Sequence, residues 1–161
     1  SFIENAIIKA RNAAKHTGLA AIADDSGLEV DALNGAPGIY SARFSEDVNG
    51  VRVSDKANNQ KLLGLLDGKP EAERSARFVC ALAFMRHEKD STPVVCVARW
   101  EGVILTESKG ENGFGYDPIF YVPEFSCASA ELDKSIKNRV SHRGQALKIL
   151  LEQLQGLGLL V

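Results

Sequence analysis

Apolar residues at helical spacing predict a helix at each end of the chain and one between them. Residues 1–15 carry an alanine-rich apolar stripe. Ser1 and Glu4 precede it as the pair that forms a capping box at a helix start. A second helix is predicted over residues 54–66, and a third over 141–155. The predicted inward positions of the second helix are Leu62, Leu63, Leu65 and Leu66.

Short apolar runs and period-two alternation mark the strands. They predict strands over residues 19–23, 28–33, 75–85, 93–105 and 119–122. Four turn-forming residues (24–27) separate the first two strands, and a short polar link makes the next two a hairpin. Residues 126–137 are polar and carry no predicted element.

This mixture of helices and strands predicts the α/β class, with a mixed central sheet and flanking helices. A length of 161 residues with 45% apolar residues predicts one domain over residues 1–161. A formal charge of −2 argues against binding nucleic acid through bulk charge, and no apolar run is long enough to span a membrane. Three cysteines without a CxxC pair favour a reducing compartment.

Two adjacent carboxylates, Asp24 and Asp25, follow the first predicted strand and precede Ser26 and Gly27. Carboxylate oxygens are ligands of the kind that Mg²⁺ takes, and a carboxylate there could also orient or deprotonate an attacking water. Asp, Ser and Gly are also ordinary turn formers, so the same string fits a plain turn. The residues alone leave both interpretations open.

The segment from Gly110 to Asp117 combines glycines with two aromatic residues. Glycine allows a backbone to approach a ligand closely. Phe114 or Tyr116 could stack on a planar base, and the Asp117 carboxylate could accept a hydrogen bond from a base N–H. The string matches neither a P-loop nor a dinucleotide-binding fingerprint, so a flexible loop with one buried aromatic fits it as well.

Basic residues gather where the last predicted helix begins, from Lys137 to Arg143. Ser141 is a good N-cap, and a helix N-terminus favours an anion or an acceptor oxygen. Cations at a helix N-terminus oppose the helix dipole and so cost some stability. A locally unfavourable arrangement of this kind is typical of a binding site. A solvated basic turn is the alternative.

Four strings together carry a family resemblance: SFIENAIIKA, ADDSGLEVDALNGAPGIYSARF, GFGYDPIFYVPE and SHRGQAL. In content, order and spacing they are similar to the inosine triphosphate pyrophosphatase family (XTP/dITP diphosphatases), with the bacterial branch closer. The similarity runs from Ser1 to about Gln155. It implies an α/β fold with a mixed sheet and two lobes around a cleft.

The resemblance also implies an activity. Family members hydrolyse the deaminated purine triphosphates ITP, dITP and XTP to the monophosphate and pyrophosphate, which cleanses the nucleotide pool. They need Mg²⁺ and are typically cytoplasmic homodimers. The implied partners are therefore a purine nucleoside triphosphate and a second copy of the chain, with no nucleic acid and no membrane.

Site residues carry over by matching positions in the family's motifs. Asp25 matches the metal-linked catalytic carboxylate, Ser26 a substrate contact, and Lys9 a lysine that approaches the phosphates. The base-binding segment is matched by Phe114, Gly115, Tyr116 and Asp117. The basic group that reads the base is matched by Lys137, His142 and Arg143.

The resemblance departs from the family pattern at the N-terminus. Family members begin with a strand and a T-G-N-x-x-K loop that cradles the triphosphate, and no such string occurs here. This indicates an N-terminally truncated domain with weakened phosphate binding. An inactive or incomplete nucleotide-binding fragment is therefore the alternative, along with a nucleotide-binding or dimerisation module. A pyrophosphatase of the same fold that prefers modified pyrimidines is a third possibility, which His142 and Arg143 disfavour.

Overall fold

The computed structural model describes residues 1–50 and 52–160 and has the predicted α/β class. Its helices are α1 (Phe2–Thr17), α2 (Asp55–Leu65), α3 (Lys134–Val140) and α4 (His142–Gly156). Its strands are β1 (Ala21–Val30), β2 (Ser75–Met85), β3 (Val94–Ile104), β4 (Phe120–Val122) and β5 (Cys127–Ala128). Short 3-10 turns fill several of the connections.

The strands form one five-stranded sheet whose order follows the chain, β1-β2-β3-β4-β5. β4 is antiparallel to both of its neighbours. Tyr121 pairs with Val103 of β3 on one side and with Ala128 of β5 on the other. The two long central strands, β2 and β3, agree with their predicted ranges to within one residue at each end.

Three serine caps fix where the main helices begin. The Ser1 Oγ accepts from the Glu4 N–H at 3.2 Å, and the Ser54 Oγ accepts from the Ala57 N–H at 3.0 Å. Ser141 caps α4 in the same way. Such a bond satisfies one of the free N–H groups at a helix start, so the predicted helix starts are confirmed.

The chain divides into two compact units. Unit 1 comprises residues 1–26, 79–99 and 140–161, and unit 2 comprises residues 27–78 and 100–139. In unit 1, α1 packs its buried alanines against Ala81, Ala83 and Met85. The alternate side chains of β2, including Cys80 and Leu82, pack with α4. Side chains alternate across a strand, so the two helices cover opposite faces of the sheet.

Unit 2 has an aromatic core in which Phe78, Trp100 and Phe120 are all buried. The Phe78 and Phe120 ring centroids lie 4.4 Å apart, and those of Trp100 and Phe120 lie 5.3 Å apart. Because Gly102 of β3 has no side chain, the Phe120 ring can pack directly against it. A methyl group at that position would lie 2.4 Å from the Phe120 ring and 2.5 Å from the Tyr121 carbonyl oxygen.

The predicted turn at residues 24–27 is wrong. These residues lie within one continuous strand, β1, that replaces the two separate strands predicted over 19–23 and 28–33. Turn propensity is a local preference, and pairing with β2 in the sheet overrides it. Asp24 and Asp25 are therefore strand residues, and their side chains point to opposite faces of the sheet.

The interior face of α2 also differs from the prediction. Leu62 and Leu66 are buried as expected, but Leu65 is exposed and Leu63 only half-buried. The remaining buried positions belong to Ala57 and the pair Asn58–Asn59. Within the polar stretch 126–137, two short elements were missed: β5 and the first part of α3.

No helix in the described part of the chain is both long and apolar enough to cross a membrane. All three cysteines are free thiols. Burial raises the pKa of the Cys80 thiol to about 12, so it stays protonated at neutral pH.

Replacing Gly102 by alanine should destabilise the protein. The added methyl group collides with the Phe120 ring and with backbone, and overpacking of this kind costs about 2 kcal/mol of unfolding free energy. Gly64→Ala is the matched control, because that exposed helical glycine has open space around it and alanine there gains about 0.8 kcal/mol. Urea denaturation of both variants checks the pair. Equal stabilities would contradict the proposed close approach at Gly102.

Candidate functional site

Asp25 is held by two residues of α1. Its Oδ1 accepts from the Lys9 Nζ at 2.8 Å, and its Oδ2 accepts from the Asn5 Nδ2 at 3.1 Å. Asn5 and Lys9 are four residues apart on the helix and so lie on one face of it. The Asp25 side chain is 16% exposed, which leaves the carboxylate accessible although both of its oxygens have partners.

Asp24 and Ser26 contact a different helix from the one that holds Asp25. The Arg143 Nη2 donates to the Ser26 Oγ at 2.9 Å, and the Arg143 Nε donates to the Asp24 Oδ2 at 3.3 Å. Arg143 lies in the first turn of α4. Alternation along β1 therefore sends Asp25 toward α1 and its two neighbours toward α4.

The donor set around Asp25 can be tested against the predicted Mg²⁺. Among the described residues, no three His, Cys, Asp or Glu side chains group closely enough to hold a metal. The two aspartates also point to opposite faces, so they do not form the paired ligand set that their adjacency suggested. A carboxylate oxygen has two lone pairs, so Asp25 retains capacity for a further ligand. The site fits Mg²⁺ in the form that one carboxylate, water and substrate phosphates hold together.

In unit 2, Asp117 organises the aromatic loop, which we define as residues 113–117. Asp117 is 2% exposed, and its Oδ2 accepts from the Phe114 N–H at 2.9 Å. The same oxygen accepts from the Lys137 ammonium, and its Oδ1 accepts from the Ser129 hydroxyl at 2.8 Å. Both oxygens are thus used within the chain, whereas the sequence suggested a contact with a base N–H.

Phe114 forms the exposed part of this arrangement, and the Lys137 side chain beside it is largely buried. The Phe114 side chain is 60% exposed, and the Lys137 Nζ lies 4.7 Å from the centroid of its ring. A cation at this distance from an aromatic face is attracted to it. Gly113 lies against the Asp117–Lys137 ion pair, because a methyl group there would overlap the Asp117 carboxylate and lie 3.0 Å from the Lys137 Nζ.

Tyr116 is buried, and its hydroxyl donates to the Ser41 carbonyl oxygen at 2.6 Å. Burial and then the nearby Asp55 carboxylate raise the pKa of the Tyr116 phenol, so the hydroxyl remains a donor. Its ring is a core side chain and not an exposed stacking surface. Of the two aromatic residues, only Phe114 presents a ring to solvent.

His142 is the first residue of α4 and is buried in unit 1, directly after the Ser141 cap. The basic group predicted from the sequence is thus divided between units: Lys137 belongs to unit 2, and His142 and Arg143 belong to unit 1. Within unit 1, Lys9 contacts Asp25 and Arg143 contacts Ser26. Within unit 2, Lys137 contacts both Phe114 and Asp117. The proposed roles of all ten predicted residues stay predictions.

Several residues around these clusters were not foreseen. Asn5 could have been found from its helical spacing to Lys9. The pair Asn58–Asn59 also carries a signal, because asparagine is unfavourable inside a helix. Asn58 is buried, accepts from the Ser45 N–H and hydroxyl, and donates to the Ala42 carbonyl oxygen. Ser129 lies in a polar stretch with no distinguishing pattern.

Comparison with known proteins shows the family of this chain. The model of the Ham1 family matches residues 1–153. The chain belongs to the Ham1 family. It is 66% identical over 154 residues to a dITP/XTP pyrophosphatase of Vibrio parahaemolyticus, covering 96% of this chain and 75% of that protein. This confirms the family resemblance drawn from the four sequence strings.

Solved Ham1 structures have the same fold. A HAM1 protein from Coxiella burnetii superposes with a TM-score of 0.88 at 51% identity, covering 97% of this chain and 77% of that one. A dITP/XTP pyrophosphatase from Mycobacterium abscessus gives a TM-score of 0.77 at 49% identity, covering 96% of this chain and 76% of that one. The predicted fold class is confirmed.

Replacing Asp117 by asparagine should lower the free energy of unfolding by about 3 kcal/mol, because it leaves the Lys137 ammonium without its anionic partner in a largely buried position. Ser129→Ala removes only a neutral donor to the same carboxylate and should cost about 1 kcal/mol. Thermal unfolding of both variants checks the difference. A larger loss for Ser129→Ala would contradict the central role of the ion pair.

Proposed function

We propose that this chain is a nucleoside triphosphate pyrophosphatase, a hydrolase acting on acid anhydrides. Its proposed substrates are the deaminated purine triphosphates ITP, dITP and XTP, cleaved to the monophosphate and pyrophosphate. The observation that carries the proposal is 66% identity, over nearly the whole chain, to a relative named dITP/XTP pyrophosphatase. The proposed role is cleansing of the nucleotide pool.

The aromatic loop supports recognition of a purine. The exposed Phe114 ring offers a stacking surface of the kind that bases use, without choosing among purines. Lys137 stands beside that ring as a cationic donor. Hypoxanthine and xanthine carry an oxygen where adenine carries an amino group, so a donor there pairs with the first two and not with adenine. A donor left unpaired costs about 1–3 kcal/mol, or roughly tenfold to a hundredfold in selectivity.

In unit 1, Arg143 and His142 keep their proposed base-reading role, and Ser26 its proposed substrate contact. The Arg143 guanidinium is fixed on one side by Asp24 and Ser26, yet its side chain is 45% exposed. A guanidinium is a planar cationic donor, the kind of group that pairs with an acceptor oxygen. This arrangement supports a role for Arg143 in pairing with a base carbonyl.

Asp25 is the proposed general base. Its carboxylate would accept the proton of the water that attacks the phosphorus, while the α1 side chains keep it in place. The Lys9 ammonium is 55% exposed and would balance charge on the triphosphate. Mg²⁺, when bound with Asp25 as its proposed protein ligand, would polarise the phosphoryl oxygens. Homodimer formation and a cytoplasmic location stay predictions from the resemblance.

Pyrophosphate release tests the reaction and its base preference together. With Mg²⁺, this chain should release pyrophosphate from ITP, dITP and XTP at least tenfold faster than from ATP. The carbonyl oxygen of hypoxanthine or xanthine pairs with the cationic donors, and the amino group of adenine does not. GTP and a modified pyrimidine triphosphate complete the panel. Equal rates on ITP and ATP would contradict base reading. Nucleotide binding without any product would favour the inactive binding fragment.

Asp25→Asn should remove turnover, with a loss of at least a thousandfold, because the amide neither takes the proton nor binds the metal as a carboxylate does. The variant should stay folded, since Asp25 is partly exposed and asparagine has the same shape and keeps an oxygen that can accept from Lys9. Asp67→Asn removes the same charge from an exposed position and is the matched control. Single-turnover hydrolysis of ITP is the measurement, and retained activity in Asp25→Asn excludes this carboxylate as the base.

A further inference from the structure

We infer that Asp55 of α2 is a positioning residue that holds the aromatic loop in its base-accepting conformation. The inference rests on the proposed function for the meaning of that conformation. Its structural basis is a hydrogen bond from the Gly115 N–H to the Asp55 Oδ2 at 2.9 Å. Asp55 and Gly115 are sixty positions apart in the chain, so the contact belongs to the tertiary structure.

Gly115 is held by hydrogen bonds to both of its backbone polar groups. Its φ of +60° lies in the left-handed region, and a methyl group on its Cα would meet nothing within 4 Å. Its carbonyl oxygen accepts from the Asn59 Nδ2 at 3.2 Å. Asp55 and Asn59 lie one turn apart on α2, so one face of the helix binds both the N–H and the carbonyl oxygen of Gly115.

The orientation of the Asn59 amide supports this account. Asn59 is 7% exposed, and its Oδ1 has no partner among the described residues. A buried acceptor without a partner costs free energy, so the alternative amide orientation would be expected if it gained a bond. That orientation would instead set the amide oxygen against the Gly115 carbonyl oxygen. The donation to Gly115 therefore decides how the side chain is placed.

Two carboxylates accept hydrogen bonds from the backbone on either side of the Phe114 side chain. Its own N–H donates to Asp117, and the next N–H along the chain, that of Gly115, donates to Asp55. The two acceptors fix consecutive peptide groups on either side of the Phe114 side chain. Loss of Asp55 would free the second peptide group while leaving the Lys137–Asp117 pair intact.

Asp55 also has an ordinary structural role that the test must separate. It is the first residue of α2, where an acidic side chain is stabilised by the helix dipole. Asp55→Asn removes that charge but keeps an oxygen that can accept from Gly115. Asp55→Ala removes both, so the pair of variants distinguishes the hydrogen bond from the charge.

The first readout is amide hydrogen exchange of Gly115, followed by NMR in the ligand-free protein. Exchange should be at least tenfold faster in Asp55→Ala and close to wild type in Asp55→Asn, because the acceptor is restored. Gln60→Ala, at an exposed position of the same helix, is the control and should leave the rate unchanged. Unchanged exchange in Asp55→Ala, or equal acceleration in Asp55→Asn, overturns the inference.

The second readout is steady-state hydrolysis of ITP. Asp55→Ala should raise KM about tenfold with kcat within about twofold, as expected when a binding group loses its position and the catalytic group does not. Asp55→Asn should restore KM. Turnover by the wild type with no change of KM in Asp55→Ala overturns the inference and leaves the proposed function standing. Absence of wild-type turnover overturns the proposed function, and the exchange rates then decide alone whether Asp55 holds the loop.

Discussion

The candidate site in unit 1 depends on the alternation of side chains along β1. Because neighbouring strand residues point to opposite faces, Asp25 meets α1 while Asp24 and Ser26 meet α4. The Asp25 carboxylate, which is the proposed general base, and the guanidinium of Arg143 are thereby kept from neutralising each other directly. A turn at the same four residues would have left the directions of all three side chains to local loop geometry.

The sequence predicted best those features that local chemistry decides. Helix starts at Ser1, Ser54 and Ser141 follow from side-chain caps within four residues, and the long strands β2 and β3 follow from sustained apolar patterns. The strand through residues 24–27 was missed because its pairing with β2 is a tertiary contact that the local sequence does not reveal. The short elements β5 and α3 were missed because neither has enough residues for a period to appear.

The same distinction between local and tertiary interactions applies to the site residues. Asp25, Phe114 and Lys137 could be named from motifs, but their partners could not, since contacts such as Asp55 with Gly115 join distant parts of the chain. The pattern of α2 was interpreted through its leucines alone, and this hid the buried asparagines. Asp117 illustrates the limit: its identity was predicted, yet its burial with two occupied oxygens follows only from the folded loop.

The fixed aromatic loop has a thermodynamic consequence for any ligand that stacks on Phe114. Anchors at Asp117 and Asp55 order the backbone of the loop during folding, before a ligand arrives. Ordering one residue costs about 1–2 kcal/mol of conformational entropy, and a loop that is already ordered does not subtract this cost from the binding free energy. A ligand that binds this preorganised surface therefore loses little of its interaction free energy to ordering the loop. Preorganisation therefore raises the affinity for every base that stacks on Phe114, whereas the ordering cost cancels when one base is compared with another.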